Sequence, residues 1–226
     1  MTRPEAKALA SEIAARLQAS PNMATPAARA LRREYSKRLA HAEAKHVLAV
    51  ATQLLQEATA LHRFMAYELV FCYRAALISL RAKDLERLGR GLDSWGAVDT
   101  FACYLSGPAW RERQVPDALI AKWARSKDRW WRRAALVSTV PLNRKALGGN
   151  GDAKRTLRIC RMLVNDRDDM VVKALSWALR DLIKPDAKGV REFIQTHESV
   201  LAARVLREVG NKLQTGLKNP GAQKAF

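Results

Sequence analysis

Apolar residues recur along this chain every three to four positions, and nowhere do they alternate with the period of two that a half-buried strand requires. The pattern predicts amphipathic helices over 1–17, 25–39, 44–58, 61–73, 75–88 and 94–105. Gly107-Pro108 is expected to break the chain, and Pro116 to start a helix running to Ala124. Asp128 reads as the cap of the next helix, which Pro141 ends. The run Leu147-Gly148-Gly149-Asn150-Gly151 is a loop, after which helices resume over 152–163, 168–183, 186–196 and 199–215. Thr25-Pro26 reads as a cap followed by proline in the first helical turn.

Uniform helices joined by short turns suit an array better than a compact bundle. A weak internal repeat supports this: Asp128-x-x-Trp131-Arg132-x-x-Ala135 resembles Asp169-x-x-Val172-Lys173-x-x-Ser176 at an offset of 41. A period of roughly 40–47 residues with capped helices is that of HEAT repeats, whose helix pairs stack into a curved solenoid with a concave binding face. The expected fold is therefore all-α, HEAT-like helical repeats stacked into a curved α-solenoid, as one domain over 1–218 with a disordered tail over 219–226.

Charge narrows the partner. The chain has 226 residues, 40 basic and 22 acidic, for a net charge of +18. A folded chain this basic is expected to meet a polyanion, most often nucleic acid, rather than merely to be kept soluble. Cys72, Cys103 and Cys160 are odd in number and far apart, which fits a reducing compartment and no disulfide framework. His41, His46, His62 and His197 form no metal-ligand spacing and read as solvated or capping residues, so no metal is expected. The first seventeen residues mix Arg3, Glu5, Lys7, Glu12 and Arg16 with alanines and lack the apolar core of a secretory signal. The apolar run at Leu69–Tyr73 is cut by Arg74, far short of a membrane span. The expected location is the cytoplasm, on the nucleoid when bound to DNA, with no membrane partner.

Between Trp110 and Lys145 ten basic residues face three acidic ones, interleaved with Trp110, Trp123, Trp130 and Trp131. Indoles among cations suit stacking plus phosphate contact, although Trp123 and Trp131 read better as helix-packing core. Arg125, Lys127, Arg129, Arg132, Lys173, Arg180 and, nearer the N-terminus, Arg33 are the candidate DNA contacts. Within this background stand Trp95 and Asp99, one helical turn apart on a shared face, with Arg132-Arg133 and Trp177 further along. A carboxylate, a guanidinium and two indoles can together hold a nucleotide that carries positive charge. Asp93, just ahead of Trp95, reads as a helix cap, and Gly96 as a place of close backbone approach or a frayed first turn.

Several stretches resemble, in order along the chain, the AlkD-like alkylpurine DNA glycosylases, HEAT-repeat enzymes of DNA alkylation repair. They are Thr25-Pro26 through Ser36, Trp95-x-x-x-Asp99, Trp130-x-Arg132-Arg133-x-Ala135-Leu136, Lys173 through Arg180, Arg204 through Gly210, and Gly216 through Pro220. The resemblance implies hydrolytic excision of purines alkylated at N3 or N7 from duplex DNA, such as 3-methyladenine and 7-methylguanine, by a monomer without a cofactor and without base flipping. It implies that Asp99 is catalytic, that Trp95 and Trp177 flank the cationic nucleotide, and that Arg133, or in the alternative Arg132, grips the phosphate beside the lesion. The stretch Ala19–Ala24 lacks the aromatic residue that better-known members carry there, which bears on DNA grip or lesion range. The rival expectation is a non-catalytic HEAT-repeat protein that binds damaged or branched DNA. A scaffold for RNA or protein needs only the helices and the charge.

Overall fold

The computed structural model describes residues 2–57 and 59–221, and every regular element among them is helical. Two compact units result, Met1–Val115 and Pro116–Phe226. The first contains α1 (Arg3–Gln18), α2 (Thr25–Arg38), α3 (Ala44–Leu54), α4 (Ala60–Cys72), α5 (Arg74–Ser79), α6 (Ala82–Leu88), α7 (Trp95–Phe101) and α8 (Gly107–Arg111). The second contains α9 (Asp117–Ala124), α10 (Arg129–Val137), α11 (Val140–Asn143), α12 (Ala153–Met162), α13 (Asp169–Thr196) and α14 (Ala203–Thr215).

Each unit is built around one helix. In the first, α4 packs against α2, α3, α5 and α7 and buries Met65, Tyr67, Leu69 and Val70 among Tyr35, Leu54 and Phe101. In the second, α13 packs against α10, α11, α12 and α14 and buries Val171, Leu175, Leu179 and Leu182 among Leu136, Ile159 and Val205. Full burial of such a side chain contributes about 1.5–3 kcal/mol, so the apolar stripes rather than helix propensity hold each unit together. With sequential helices stacked on their neighbours and no strand among the described residues, the fold is all-α and HEAT-like.

The cap geometry recurs along the chain at an offset of 40 rather than 41. Asp128 accepts a hydrogen bond from the Trp130 N–H at 2.8 Å, while its own N–H donates to Ser126 Oγ at 3.2 Å. Forty residues on, Asp168 accepts from the Met170 N–H at 2.9 Å and donates to Asp166 Oδ1 at 3.0 Å. The capping geometry thus aligns Asp128 with Asp168, not with Asp169. Matching apolar-basic pairs alone shifts the register by one, because Val171 and Val172 are interchangeable in such a comparison.

Several helix boundaries differ from the expected ones, for local reasons. The helix expected over 75–88 is two, because Arg81 turns out of helical conformation, takes Asp84 as its cap partner and donates to the Ile78 and Leu80 carbonyls. Gly107-Pro108 does not break the chain. The π-helical segment Ala102–Ser106 carries it from α7 straight into α8, with the Gly107 N–H bonded five residues back to the Ala102 carbonyl. Pro108 has no N–H to give a residue four back and its ring would crowd that carbonyl; the wider turn accommodates both. Pro141 sits in the first turn of α11 rather than ending α10, which stops at Val137. Ala24, not Thr25, precedes α2, and Ser94, not Asp93, precedes α7; neither side chain makes a capping bond.

The helices expected over 168–183 and 186–196 are the two parts of α13, separated by a kink at Asp186, whose φ of −150° and ψ of 72° leave the helix just after Pro185. There Asp186 Oδ1 accepts from the Gly189 N–H at 2.9 Å, recapping the second half. The last helix starts at Ala203 rather than 199. The helix expected to reach 58 ends at Leu54 and continues as a 3-10 turn to Glu57, residue 58 itself lying outside the described residues. Of the expected tail, 219–221 continue the described chain into a turn and 222–226 lie outside the described residues. His46 and His62 are buried rather than solvated, His62 bonding Thr59 Oγ1 through Nδ1 at 2.5 Å. All three cysteines are free thiols.

Candidate nucleic-acid interface and catalytic residues

In the first unit, the loop ahead of α7 is fixed from beneath by α4. Buried Arg63 donates to the Arg90 carbonyl at 3.3 Å and the Gly91 carbonyl at 2.5 Å. Tyr67, wholly buried, donates to the Leu88 carbonyl at 3.0 Å. Burial pushes its phenol up to about 12, so it remains a donor at any physiological pH. Gly91 supplies a left-handed turn at φ +69°, and Ser94 returns the chain to an extended conformation before α7. The outcome is an anchored loop that opens a helix on Trp95.

Trp95 is 62% exposed, the most exposed large apolar side chain among the described residues. Asp99 is half-buried one turn later on the same helix. A Cβ on Gly96 would meet nothing within 4 Å, so the helix surface between them is open. The π-helical segment begins three residues after Asp99 at Ala102, whose N–H is shared between the Val98 and Asp99 carbonyls. Such segments recur at functional sites. A hollow of about 860 Å³ lined in part by Lys7, Leu48, Gln53 and Arg87 is also in this unit, but neither Trp95 nor Asp99 lines it.

A second feature of this unit is basic. Glu68 on α4 is buried and pairs with Arg29 at 3.0 Å and Arg32 at 3.3 Å from α2. Arg29 also donates to Tyr104 Oη at 3.1 Å and lies over the Phe64 ring. Arg33, the candidate from this helix, is exposed.

In the second unit, the acidic caps of one repeat hold the arginines of the previous one. Arg132 donates to Asp166 at 2.6 Å and to the Ser126 and Lys127 carbonyls, which commits its fork to bracing α10 against the α13 cap. Arg129 reaches Asp168 at 3.5 Å and lies 4.7 Å over the Trp130 ring. Arg133 is 5% exposed and donates to the Met170 carbonyl at 2.6 Å. Arg125 and Lys127 are exposed at the turn before α10. Trp123 is buried and tilted against Trp131 with ring centroids 4.8 Å apart, so this pair is core.

On α13, Lys173, Trp177 and Arg180 fall at helical spacing on one face. Trp177 is half-buried, and its indole N–H donates to Asp181 at 2.9 Å. Asp181 also receives Arg144 at 3.2 Å, and the Arg144 guanidinium lies 5.8 Å from the Trp177 ring centroid. The indole is thus held in one orientation with a cation already over its ring, a contact worth about 0.5–2 kcal/mol. Lys173 pairs with Asp169 at 2.6 Å. Arg180 donates to Ser176 Oγ at 3.2 Å.

Asp181, Arg144 and Glu68 were not singled out from the sequence. Asp181 lies four residues after Trp177, a spacing that could have flagged it. Arg144 and Glu68 reach their partners across 33 or more residues and leave no local signal.

Among the described residues no group of three or more His, Cys, Asp or Glu is placed to hold a metal ion, and no helix is long and apolar enough to cross a membrane. No curated protein and no solved structure matches the chain. A family model described as DNA alkylation repair enzyme matches residues 11–213, a span that includes Trp95, Asp99, Arg133 and Trp177. By that match the chain belongs to the DNA alkylation repair enzyme family.

Proposed function

We propose that this protein is a monofunctional DNA glycosylase that removes cationic N3- or N7-alkylated purines from duplex DNA. The observation that carries the reading is the pair on α7: an indole left largely in solvent one turn ahead of a half-buried carboxylate, across an open helix surface, on a loop anchored from the core. A tryptophan placed so has an open indole face on which a cationic or aromatic ligand can stack.

The chemistry suits one carboxylate. An N3- or N7-alkylated purine carries a positive charge, so it leaves without protonation. The C1′–N9 bond breaks with its electron pair passing to the base, which departs neutral, and oxocarbenium character develops on the deoxyribose, as in glycoside hydrolysis generally. Asp99 stabilises that cation and positions the water whose oxygen adds to C1′; the proton released passes through the carboxylate to solvent. A fixed opposite charge of this kind is commonly a large part of a catalytic effect. Trp95 and Trp177 offer indole faces to the cationic nucleotide. Arg133 is assigned to the adjacent phosphate, which it reaches only by giving up its bond to the Met170 carbonyl. The product is an abasic site, and the lesion need not be flipped from the stack. Arg33, Arg125, Lys127, Arg129, Lys173 and Arg180 contact the duplex backbone. The protein acts as a monomer in the cytoplasm.

The test is release of 7-methylguanine and 3-methyladenine from methylated duplex DNA by the wild type and Asp99→Asn. Release by the wild type and its loss in the variant are expected. Tight DNA binding with no release by either would favour the non-catalytic binding module and sink the mechanism.

A further inference from the structure

Two stretches of the second unit carry no role in the reaction above: Arg204 through Gly210 on α14, and Gly216 through Pro220 after it. They meet at Glu208. This carboxylate is 3% exposed, and its short hydrogen bond comes from Ser176 Oγ on α13 at 2.6 Å. Three cations surround it at longer range: Lys218 Nζ at 3.4 Å, Arg204 Nη1 at 3.6 Å and Arg180 Nε at 4.0 Å. Those separations are ion pairs beyond good hydrogen-bond length. One buried negative charge therefore gathers three positive ones around it.

Lys218 is brought there deliberately. Gly216 ends α14 in the left-handed conformation at φ +74°, and Lys212 donates to its carbonyl. Asn211 Nδ2 then donates to the Lys218 carbonyl at 3.1 Å. The chain folds back so that a residue ten positions beyond Glu208 reaches it. Arg204 also reaches Asp169 at 3.6 Å, beside Lys173, so that pair adds no net charge. The cluster around Glu208 carries a surplus of two positive charges, and the side chains of Lys218 and Arg204 remain 43% and 38% exposed. A motif that served only to pin α14 would neutralise its charges; this one leaves an excess facing solvent, within one helical turn of Trp177 through Arg180.

We infer that Arg204, Lys218 and Arg180, oriented by Glu208, form a site for a phosphodiester of the duplex backbone, with Glu208 as its positioning residue. This rests on the reading of the protein as acting on DNA, but not on the excision step. The site extends the interface onto α14 and the segment after it, which charge counting along the chain does not indicate.

The experiment is equilibrium binding to an undamaged duplex across a salt series for the wild type, Arg204→Ala, Lys218→Ala and the double variant, with Lys188→Ala as control. Lys188 is 88% exposed on α13 beyond the kink and outside the cluster. Each neutralised phosphate contact contributes about 0.9 to the slope of log K against log salt. The double variant is expected to lose nearly two from the slope and the control nothing, with thermal midpoints close to wild type because both side chains are exposed. A double variant whose slope matches the wild type overturns the site while leaving the DNA reading intact. A wild type that binds no duplex at low salt overturns both. A reduced slope in the double variant, alongside a wild type that releases no alkylated base, keeps the site and removes only the glycosylase reading.

Discussion

The two tryptophans assigned to the lesion are held in opposite ways. Trp95 stands 62% exposed on the first turn of a short helix, and its neighbour Gly96 has nothing within 4 Å of a built Cβ. Trp177 lies half-buried within the part of α13 that precedes the kink, its N–H tied to Asp181 and its ring covered by Arg144. One indole is positioned by the loop that leads into it, the other by its own side-chain contacts. The difference teaches that the two assignments are not equally easy to test: Trp95 can be changed as a pure contact, whereas any change at Trp177 also disturbs a charge network.

The largest effect expected is at the carboxylate beside the exposed indole. Asp99→Asn should lower 7-methylguanine release by about 10²–10³-fold, the scale on which removal of one preorganised charge-stabilising group acts; a variant as fast as wild type breaks the assignment. Next come the indoles themselves. Trp95→Ala should weaken binding of methylated duplex by the cation–π increment, about 0.5–2 kcal/mol, with no change in thermal midpoint. Trp177→Ala should show the same loss together with about 1–3 kcal/mol of stability, since it removes a half-buried indole and its hydrogen bond to Asp181. Equal stability losses in the two variants, measured by chemical denaturation, would erase the contrast.

A third expectation concerns acid. Burial alone would raise the Glu208 carboxyl, but the Ser176 hydrogen bond and the charges of Lys218 and Arg180 outweigh it and hold it below the ordinary value of 4.5. A depressed carboxyl stabilises the folded state above its unfolded value and loses that contribution as pH falls through its folded value. The stability advantage of wild type over Glu208→Gln should therefore be full at pH 6–7 and shrink below about pH 4.5, read as thermal midpoints across a pH series. An advantage that does not change with pH would remove the ionised carboxylate from the account. The smallest effect is in the loop that delivers Trp95. Gly91→Ala places a Cβ at φ +69° and 3.2 Å from Arg63 Nη2, costing about 1–2 kcal/mol; an unchanged midpoint would mean that the loop adjusts freely.

Much of this was legible in the sequence because it is local. The cap at Asp128 was readable from a single residue, and its side chain accepts the Trp130 N–H; the helix starts expected at 152 and 168 also coincide with capping aspartates. The turn between Trp95 and Asp99 follows from helical geometry alone. What was not legible depends on partners distant in sequence or on backbone compromise. Arg132 and Arg133 are neighbours of one type, yet the first is spent on Asp166 and the second is buried against Met170. Glu208 looked like one acid among arginines, since Ser176 beneath it lies 32 residues away. Gly107-Pro108 looked like a break because the rule for proline assumes an α-helix, and the chain instead widened its turn.

That widened turn has a consequence for how the chain tolerates insertion and deletion. An α-helix advances about 100° per residue, and the π-helical stretch Ala102–Ser106 is in effect a helix carrying one surplus residue. Removing a single residue there would restore regular winding and swing everything before it by roughly that angle relative to buried Trp110. Asp99 and Trp95 would rotate off their present face while the sequence around each stayed untouched. The direction in which the carboxylate points is thus encoded in a residue count, downstream of the carboxylate itself.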